Sequence, residues 1–436
     1  MMRASLYLAA TLIASLSIPA MAQSIAITGG KLAIGDGSEP VENGTVVITN
    51  GMVVAAGAGV AVPAGAQRID ATGKWVTPGL VSGFSRVGLV EVTYVSQTND
   101  STAEKSPFSA ALDVSTAINP LANPIAISRT SGITRAVVVP EGAGSVFAGQ
   151  GAVIDLGADM SPITKAQAFQ YVELGETGAK RAGGSRPAAY LLFRTSLREA
   201  QDYARNPAAY DGRSKDSILT RADAEALVPV VQGKTPLMVH AESARDILAA
   251  LDLRKEFPAL KLILAGASEG WTVAGQIAAA KVPVIAGGLE DLPAHFETIA
   301  ATQSNVGRME KAGVAVALGM FSGDDGLQVR VATQQAGNMV ALQKVPGATG
   351  LSWGQALRAI SSAPAEAVGL GDRIGSLQPG RAGDVVIWDG DPLELESAPV
   401  AVWIDGVAQP MENRQTKLRD RYASPAPGVL PKAYEH

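Results

Sequence analysis

The chain of 436 residues contains no cysteine and only three histidines, and aromatic residues make up 5% of it. Without cysteine there is no disulfide, no thiolate metal site and no thiol nucleophile. The histidines are His240, His295 and His436, and the last of these ends the chain. At most two imidazoles can therefore converge on a pocket. Basic residues do not predominate, with 36 Lys and Arg against 41 Asp and Glu for a net charge of −5. No basic field exists to hold nucleic acid. Beyond the N-terminal segment, no run reaches the roughly 18 apolar residues of a membrane span.

What is present is the composition of a compact α/β protein. The chain is 47% hydrophobic and 18% charged, with a mean hydropathy of +0.16, which argues against disorder. The length allows a large core and more than one structural unit. Its 47 glycines and 25 prolines supply the tight connections that repeated strand–helix units need.

The segment MMRASLYLAATLIASLSIPAMAQ has a basic start at Arg3, an apolar stretch and Ala20-Met21-Ala22 before Gln23. This order reads as an export signal covering residues 1–22 with an A-x-A cleavage site. A membrane anchor is the alternative, but the apolar part is short for one. The expected location is the periplasm or outside the cell.

Residues 23–77 read as small β-structure, with GTVVITNGMVVAAG broken by the hairpin signal Asn50-Gly51. Residues 372–411 read alike, in DRIGSLQPGRAGDVVIWDGDP and PVAVWIDGVAQ. Between them, over 78–371, apolar strands alternate with amphipathic helices: ITRAVVV, LMVHA before ARDILAALDLRKEF, LKLILAG before WTVAGQIAAAK, VPVIAGG, and VAVALG. That order predicts a parallel sheet covered by helices. The length favours a (β/α)8 TIM-type barrel over a single doubly wound sheet. The two β-rich ends are expected to form one small composite β-sandwich, since neither is large enough alone. Residues 97–130 and 155–215 read as loop and helical insertions at the barrel mouth. SWGQALRAISSAPAEAVGL reads as one closing helix, and residues 412–436 as an extended or poorly ordered tail.

Three stretches carry a family resemblance: GTVVITNGMVVAAG with VPAGAQRIDATGKWVTPGLV, TPLMVHAESARDILAAL, and ALRAISSAPAEAVGLGDRIGSLQPGRAGDVVIWDGDPLE. With their spacing they span nearly the whole chain after the leader. The sequence resembles the amidohydrolase superfamily, in particular its exported imidazolonepropionase-like branch. The resemblance implies hydrolysis of C–N bonds other than peptide bonds, on a barrel whose strand ends hold zinc or another divalent metal. Such a metal lowers the pKa of bound water and polarises the scissile carbonyl.

The resemblance also implies a ligand set, and this chain departs from it. The stretch VTPGLVSGFSRVG, Val76 to Gly88, is where a His-x-His pair would sit, and it holds Phe84 and Arg86. The strand-four lysine falls near Tyr171 in a loose alignment. The strand-five histidine falls on His240. The strand-six histidine falls at Ala265 or Gly266, and the final aspartate on Phe321. One position of six keeps its residue. A rebuilt site would need His240 and His295 with two carboxylates among Glu242, Glu269, Asp324 and Asp325. Arg86 opposes it, because a permanent cation repels a metal ion.

Other signals have plainer readings beside them. His240 ends a strand where barrel active-site residues sit, as a relic or as a binding group. Arg86 is placed to bind a carboxylate or phosphate, or to pair with Glu91, Glu141 or Glu242. Gly266-Ala267-Ser268-Glu269-Gly270 matches a nucleophile elbow, although such matches arise easily in a glycine-rich barrel. Gly350-Leu351-Ser352-Trp353-Gly354 matches too, but Ser352 with Gln355 reads as a capping box. GAGSVFAGQG, residues 142–151, reads as a loop close to the barrel.

Two functions follow as expectations. The first is a metal-free, degenerate family member serving as a binding or partner subunit, with no cofactor. Its ligand would be a small molecule. It would form a homo-oligomer, or a hetero-oligomer with an active paralogue. The second is an active hydrolase of a cyclic amide or dipeptide-like substrate, with a rearranged metal site or one based on Ser268. The candidate pocket for either is Phe84, Arg86, His240, Glu242, Ser268, Glu269 and Phe321.

Overall fold

The computed structural model describes residues 24–208, 210, 217–288, 290–321 and 326–423. The expected export signal, Asp324, Asp325 and His436 lie outside the described residues. The described chain opens with five strands: β1 (Ser24–Leu32), β2 (Val41–Thr49), β3 (Met52–Ala58), β4 (Gln67–Asp70) and β5 (Trp75–Pro78). Asn50 and Gly51 join β2 to β3 with φ of 52° and 78°. Both therefore take the left-handed conformation that a two-residue hairpin turn requires.

The barrel follows. Strand β6 (Leu80–Ser85) is buried throughout and leads through a long connection to α1 (Asn123–Thr130) and β7 (Ile133–Val138). Next come β8 (Phe147–Asp155), β9 (Ile163–Glu173), α2 (Gly175–Arg181), α3 (Arg186–Arg205) and α4 (Arg221–Val231). Then β10 (Leu237–Ala241), α5 (Ala244–Glu256), β11 (Leu262–Gly266), α6 (Ala274–Ala280), β12 (Val284–Ala286), α7 (Asn305–Lys311) and β13 (Val316–Leu318) complete the alternation. The eight strands from β6 to β13 form one sheet in sequence order. The Met320 amide, just past β13, donates to the Phe84 carbonyl at 3.1 Å, so the sheet returns on itself as a TIM-type barrel.

One step of the barrel departs from the expected pattern. Strand β8 runs antiparallel to both β7 and β9, so a hairpin replaces two strand–helix units. Residues 147–151, expected as a loop, lie inside β8. The glycines there are structural: a Cβ on Gly151 would meet the Phe169 ring at 2.1 Å. The segment 155–215 is more than loop and helical insertion, because it includes a barrel strand. It holds β9 and the 20-residue α3, whose Phe193, Leu197, Ala200 and Tyr203 recur at helical spacing and are buried.

The chain ends with α8 (Ala332–Ala341), α9 (Trp353–Ala359), α10 (Ser362–Ala367), β14 (Val385–Trp388), β15 (Pro399–Ile404), β16 (Val407–Ala408) and α11 (Arg414–Ala423). The single closing helix of the sequence reading is two helices. Pro364 has no N–H and its ring excludes a helical carbonyl four residues earlier, so the chain breaks at Ile360 and Ser361. Ser352 and Gln355 form a full capping box at the start of α9. The tail is not extended over 414–423, where α11 forms.

Both ends of the chain meet in a second sheet, in the order β16-β15-β14-β5-β1-β2-β3, with β4 beside β1. It is the expected composite β unit, built from both ends of the chain as one hydrogen-bonded path of strands. A Met52–Ala382 bridge turns its far edge back toward β14, around a core that includes Ile27, Ile48, Val385 and Trp403. No helix among the described residues is long and apolar enough to cross a membrane.

Candidate functional site

The C-terminal ends of the barrel strands converge on an aromatic group. Phe84 on β6 stacks on Phe321, just beyond β13, with ring centroids 4.3 Å apart and planes 28° apart. Tyr171 on β9 meets Phe84 edge-on at 5.8 Å. The His240 ring, on β10, lies nearly parallel to Phe321 at 6.0 Å. Phe84 and Tyr171 are buried. A Cβ on Gly319 would lie 2.8 Å from the Phe321 ring and 2.8 Å from the Phe84 Cβ, so the packing there leaves no room.

Beside this group lies a polar chain. His240 Nε2 shares a 2.7 Å hydrogen bond with Glu242 Oε1. The Ser268 backbone N–H and hydroxyl both donate to Glu242 Oε2, at 2.9 and 2.6 Å. Adjacent parallel strands bring these residues together: β10 pairs with β11 so that Ala241 faces Gly266. Gly266 and Ala267 both take positive φ, 84° and 54°, and turn the chain so that Ser268 meets Glu242. Burial opposes charge on both partners. The Glu242 bond and charge, with Glu297 and Glu290, outweigh it and raise the His240 pKa. His240 and Ser268 in turn hold Glu242 below the usual carboxylate range. The pair is an imidazolium and a carboxylate over the pH range between those values.

Glu269 belongs elsewhere. Its two carboxylate oxygens accept from the backbone amides of Ala244 and Ala300, each at 3.0 Å, so it ties two loops together. His295 is exposed on a loop. Arg86 pairs with Glu141 at 3.3 Å, while Glu91 accepts from Asn123.

Three acids and a base at the mouth were not singled out in the sequence. Glu173 stands directly beside His240 in the β9–β10 register, two residues past Tyr171, and pairs with Arg181. Glu290 is pushed up by burial and by the charge of Glu242. Glu297 is pushed up by burial and accepts from the Glu176 amide at 2.7 Å. Alternation along FQYVE marks Glu173 as facing the same way as Tyr171. Glu290 and Glu297 lie in loops, where no periodic signal exists.

These residues do not fit a divalent metal. Among the described residues no group of three or more His, Asp or Glu side chains is placed to hold one. His240 and Glu242 satisfy each other, and Phe84, Phe321 and Ala265 offer no donor atom. Ser268 lacks the arrangement of a serine nucleophile, in which the imidazole takes the hydroxyl proton. Its hydroxyl donates to a carboxylate held at low pKa, which is a weak base.

Comparison with known proteins gives a consistent family. Residues 271–408 match the model described as Amidohydrolase family. Over 386 residues, 80% of this chain, the sequence is 25% identical to the amidohydrolase tasK of Hapsidospora irregularis. The match covers 38% of that protein, so the chain spans well under half of its length. The crystal structure of an amidohydrolase from Thermotoga maritima MSB8 has a TM-score of 0.76 at 27% identity, covering 88% of this chain and 99% of that one. An adenosine deaminase from Xanthomonas campestris with bound zinc shares the fold at 16% identity, with a TM-score of 0.53 over 92% of this chain and 98% of that one.

Proposed function

We propose, for a chain that belongs to the amidohydrolase superfamily, that it is a metal-free member that binds at the barrel mouth without hydrolysing. The Phe84–Phe321 stack carries this reading. It puts two apolar rings where the resemblance implies a metal ligand and the acid that takes up a proton. The mouth keeps polar groups for binding: the His240–Glu242 pair, the Arg86–Glu141 pair, and Glu290.

The test is the metal content of the protein after purification without chelator, by elemental mass spectrometry. The expected content is less than about a tenth of an equivalent of zinc, manganese, iron, nickel or cobalt. One or two tightly held equivalents, with hydrolysis of a cyclic amide or dipeptide-like substrate, would overturn the proposal in favour of a rearranged metal site. Amidase or esterase turnover abolished by S268A would overturn it in favour of a serine site.

The proposed role is that of a binding or partner subunit in the periplasm or outside the cell, self-associated or paired with an active paralogue. A subunit that has lost catalysis retains selective value through its ligand or its partner. Purification from the native source that yields only homo-oligomers would remove the paralogue.

A further inference from the structure

On the barrel face opposite the mouth, a cavity of about 700 Å³ opens between the starts of β10, β11 and β12 and the β8–β9 hairpin. Five cations line it: Lys165, Lys234, Arg254, Lys261 and Lys281. The lining carboxylate among the described residues, Glu366, is taken by Arg358 at 2.5 Å. This concentration of positive charge occurs in a chain whose net charge is −5.

Helix ends explain part of it. Helices α4, α5 and α6 end on this face, and cations near a helix C-terminus are stabilised by its dipole. Lys234 follows α4, Arg254 lies in the last turn of α5, and Lys281 caps α6. Arg254 Nη1 donates to the Ala280 carbonyl at 2.7 Å. Lys165 and Lys261 have no such account. Lys165 projects from β9, and Lys261 immediately precedes β11. Lysine ion pairs among the described residues are those of Lys31, Lys255 and Lys417, so the four lysines of the cavity have no carboxylate partner there. Burial and the charges of Arg373 and Lys261 hold the Lys165 ammonium below the usual lysine range. Like charges thus face one another across a cavity with apolar walls at Ile263 and Val282.

We propose that this cavity binds a phosphate-bearing anion, with Lys165 and Lys261 as its principal charged contacts. Lysine ammonium groups act as point charges that suit a phosphate, whereas a planar carboxylate is best matched by a free arginine fork. The proposal is independent of the chemistry at the mouth.

The test is calorimetric titration of the whole protein with inorganic pyrophosphate, for the wild type and for K165Q/K261Q. The wild type is expected to bind saturably, more weakly as salt rises. The double variant is expected to lose about tenfold or more in affinity. Pyrophosphate should raise the Tm of the wild type and not that of the double variant. The exposed single variant K261Q, with circular dichroism as a folding control, should lie between. A second arm uses phosphatidylglycerol vesicles. Vesicle binding lost in K165Q/K261Q, without affinity for free pyrophosphate, would identify a lipid headgroup as the phosphate source. Absence of both kinds of binding, or equal binding by wild type and variant, would overturn the proposal.

Discussion

Phe84 and Phe321 lie on opposite sides of the barrel's closing seam and stack across it at 4.3 Å. The same seam carries the hydrogen bond from the Met320 amide to the Phe84 carbonyl. Ring and backbone contacts therefore close the barrel at one place. An aromatic pair of this kind contributes about 0.5–1.5 kcal/mol beyond the area it buries.

Restoring a His-x-His motif alone should not restore metal chemistry. In F84H/R86H, Phe321 still covers the position and Ala265 still offers no ligand. The expected outcome is no metal uptake by elemental mass spectrometry and no C–N bond hydrolysis. Metal-dependent turnover by this double variant would show that the ligand positions have been wrongly placed on this sequence.

The His240–Glu242 pair should make stability depend on pH in a defined window. His240 has its pKa raised above the ordinary histidine value of 6.5, so its contribution is complete below that value and fades as pH rises through the folded pKa. Glu242 has its pKa lowered below the ordinary glutamate value of 4.5, so its contribution is complete above that value and fades as pH falls through the folded pKa. The pair therefore stabilises most between about pH 4.5 and 6.5. The Tm difference between wild type and H240Q should peak in that window and shrink on both sides. A difference that is flat from pH 4 to 9 would sink the assignment.

The barrel and the composite sheet are joined by a buried charge cluster. Arg135 on β7 donates from Nε to Asp384 at 2.7 Å and from Nη2 to Asp405 at 2.7 Å. R135L leaves Asp384 buried without its cation, and urea unfolding should show a loss of about 3–5 kcal/mol. R135M/D384L, which removes both charges, should recover much of that loss. Similar stability for R135L and wild type would mean that the cluster contributes nothing to the joint.

Asp155, at the end of β8, should act in the opposite sense. Burial pushes its pKa up to about 6, despite the Gly157 amide and Arg135. A carboxyl group raised in the folded state favours folding while protonated, and that contribution is lost as pH rises through about 6. D155N, which stays neutral, should therefore raise stability by about 1–2 kcal/mol at pH 7.5 and change little at pH 4. Thermal melts at the two pH values check it.

Local devices were legible in the sequence and long-range ones were not. Asn50-Gly51 and the Ser352–Gln355 box need only neighbouring residues. The strands that end at Ala241, Gly266 and Leu318 announced themselves as apolar runs between helices. The β8–β9 hairpin did not, because Gly149 and Gly151 interrupt its alternation, and their reasons lie on other segments: the Leu112 carbonyl for Gly149 and the Phe169 ring for Gly151. The buried spacing of α3 was present in the residues but was obscured by its charged face. At the site, the change from histidine to Phe84 was visible, and so was the lone His240. The link from Ser268 to Glu242 depends on the register of β10 against β11. Glu173 became a neighbour of His240 only once β9 was placed beside β10.

The second sheet also orders events in time. Strand β5 ends at Pro78, and its partner β14 begins at Val385. About 300 residues are made between them, which at roughly 5–20 residues per second takes on the order of 15–60 s. During that interval β5 presents an open edge, the kind of surface that recruits a strand from another chain. Chains cut short before Val385 keep that edge for good and are expected to aggregate, even though every barrel strand precedes the cut.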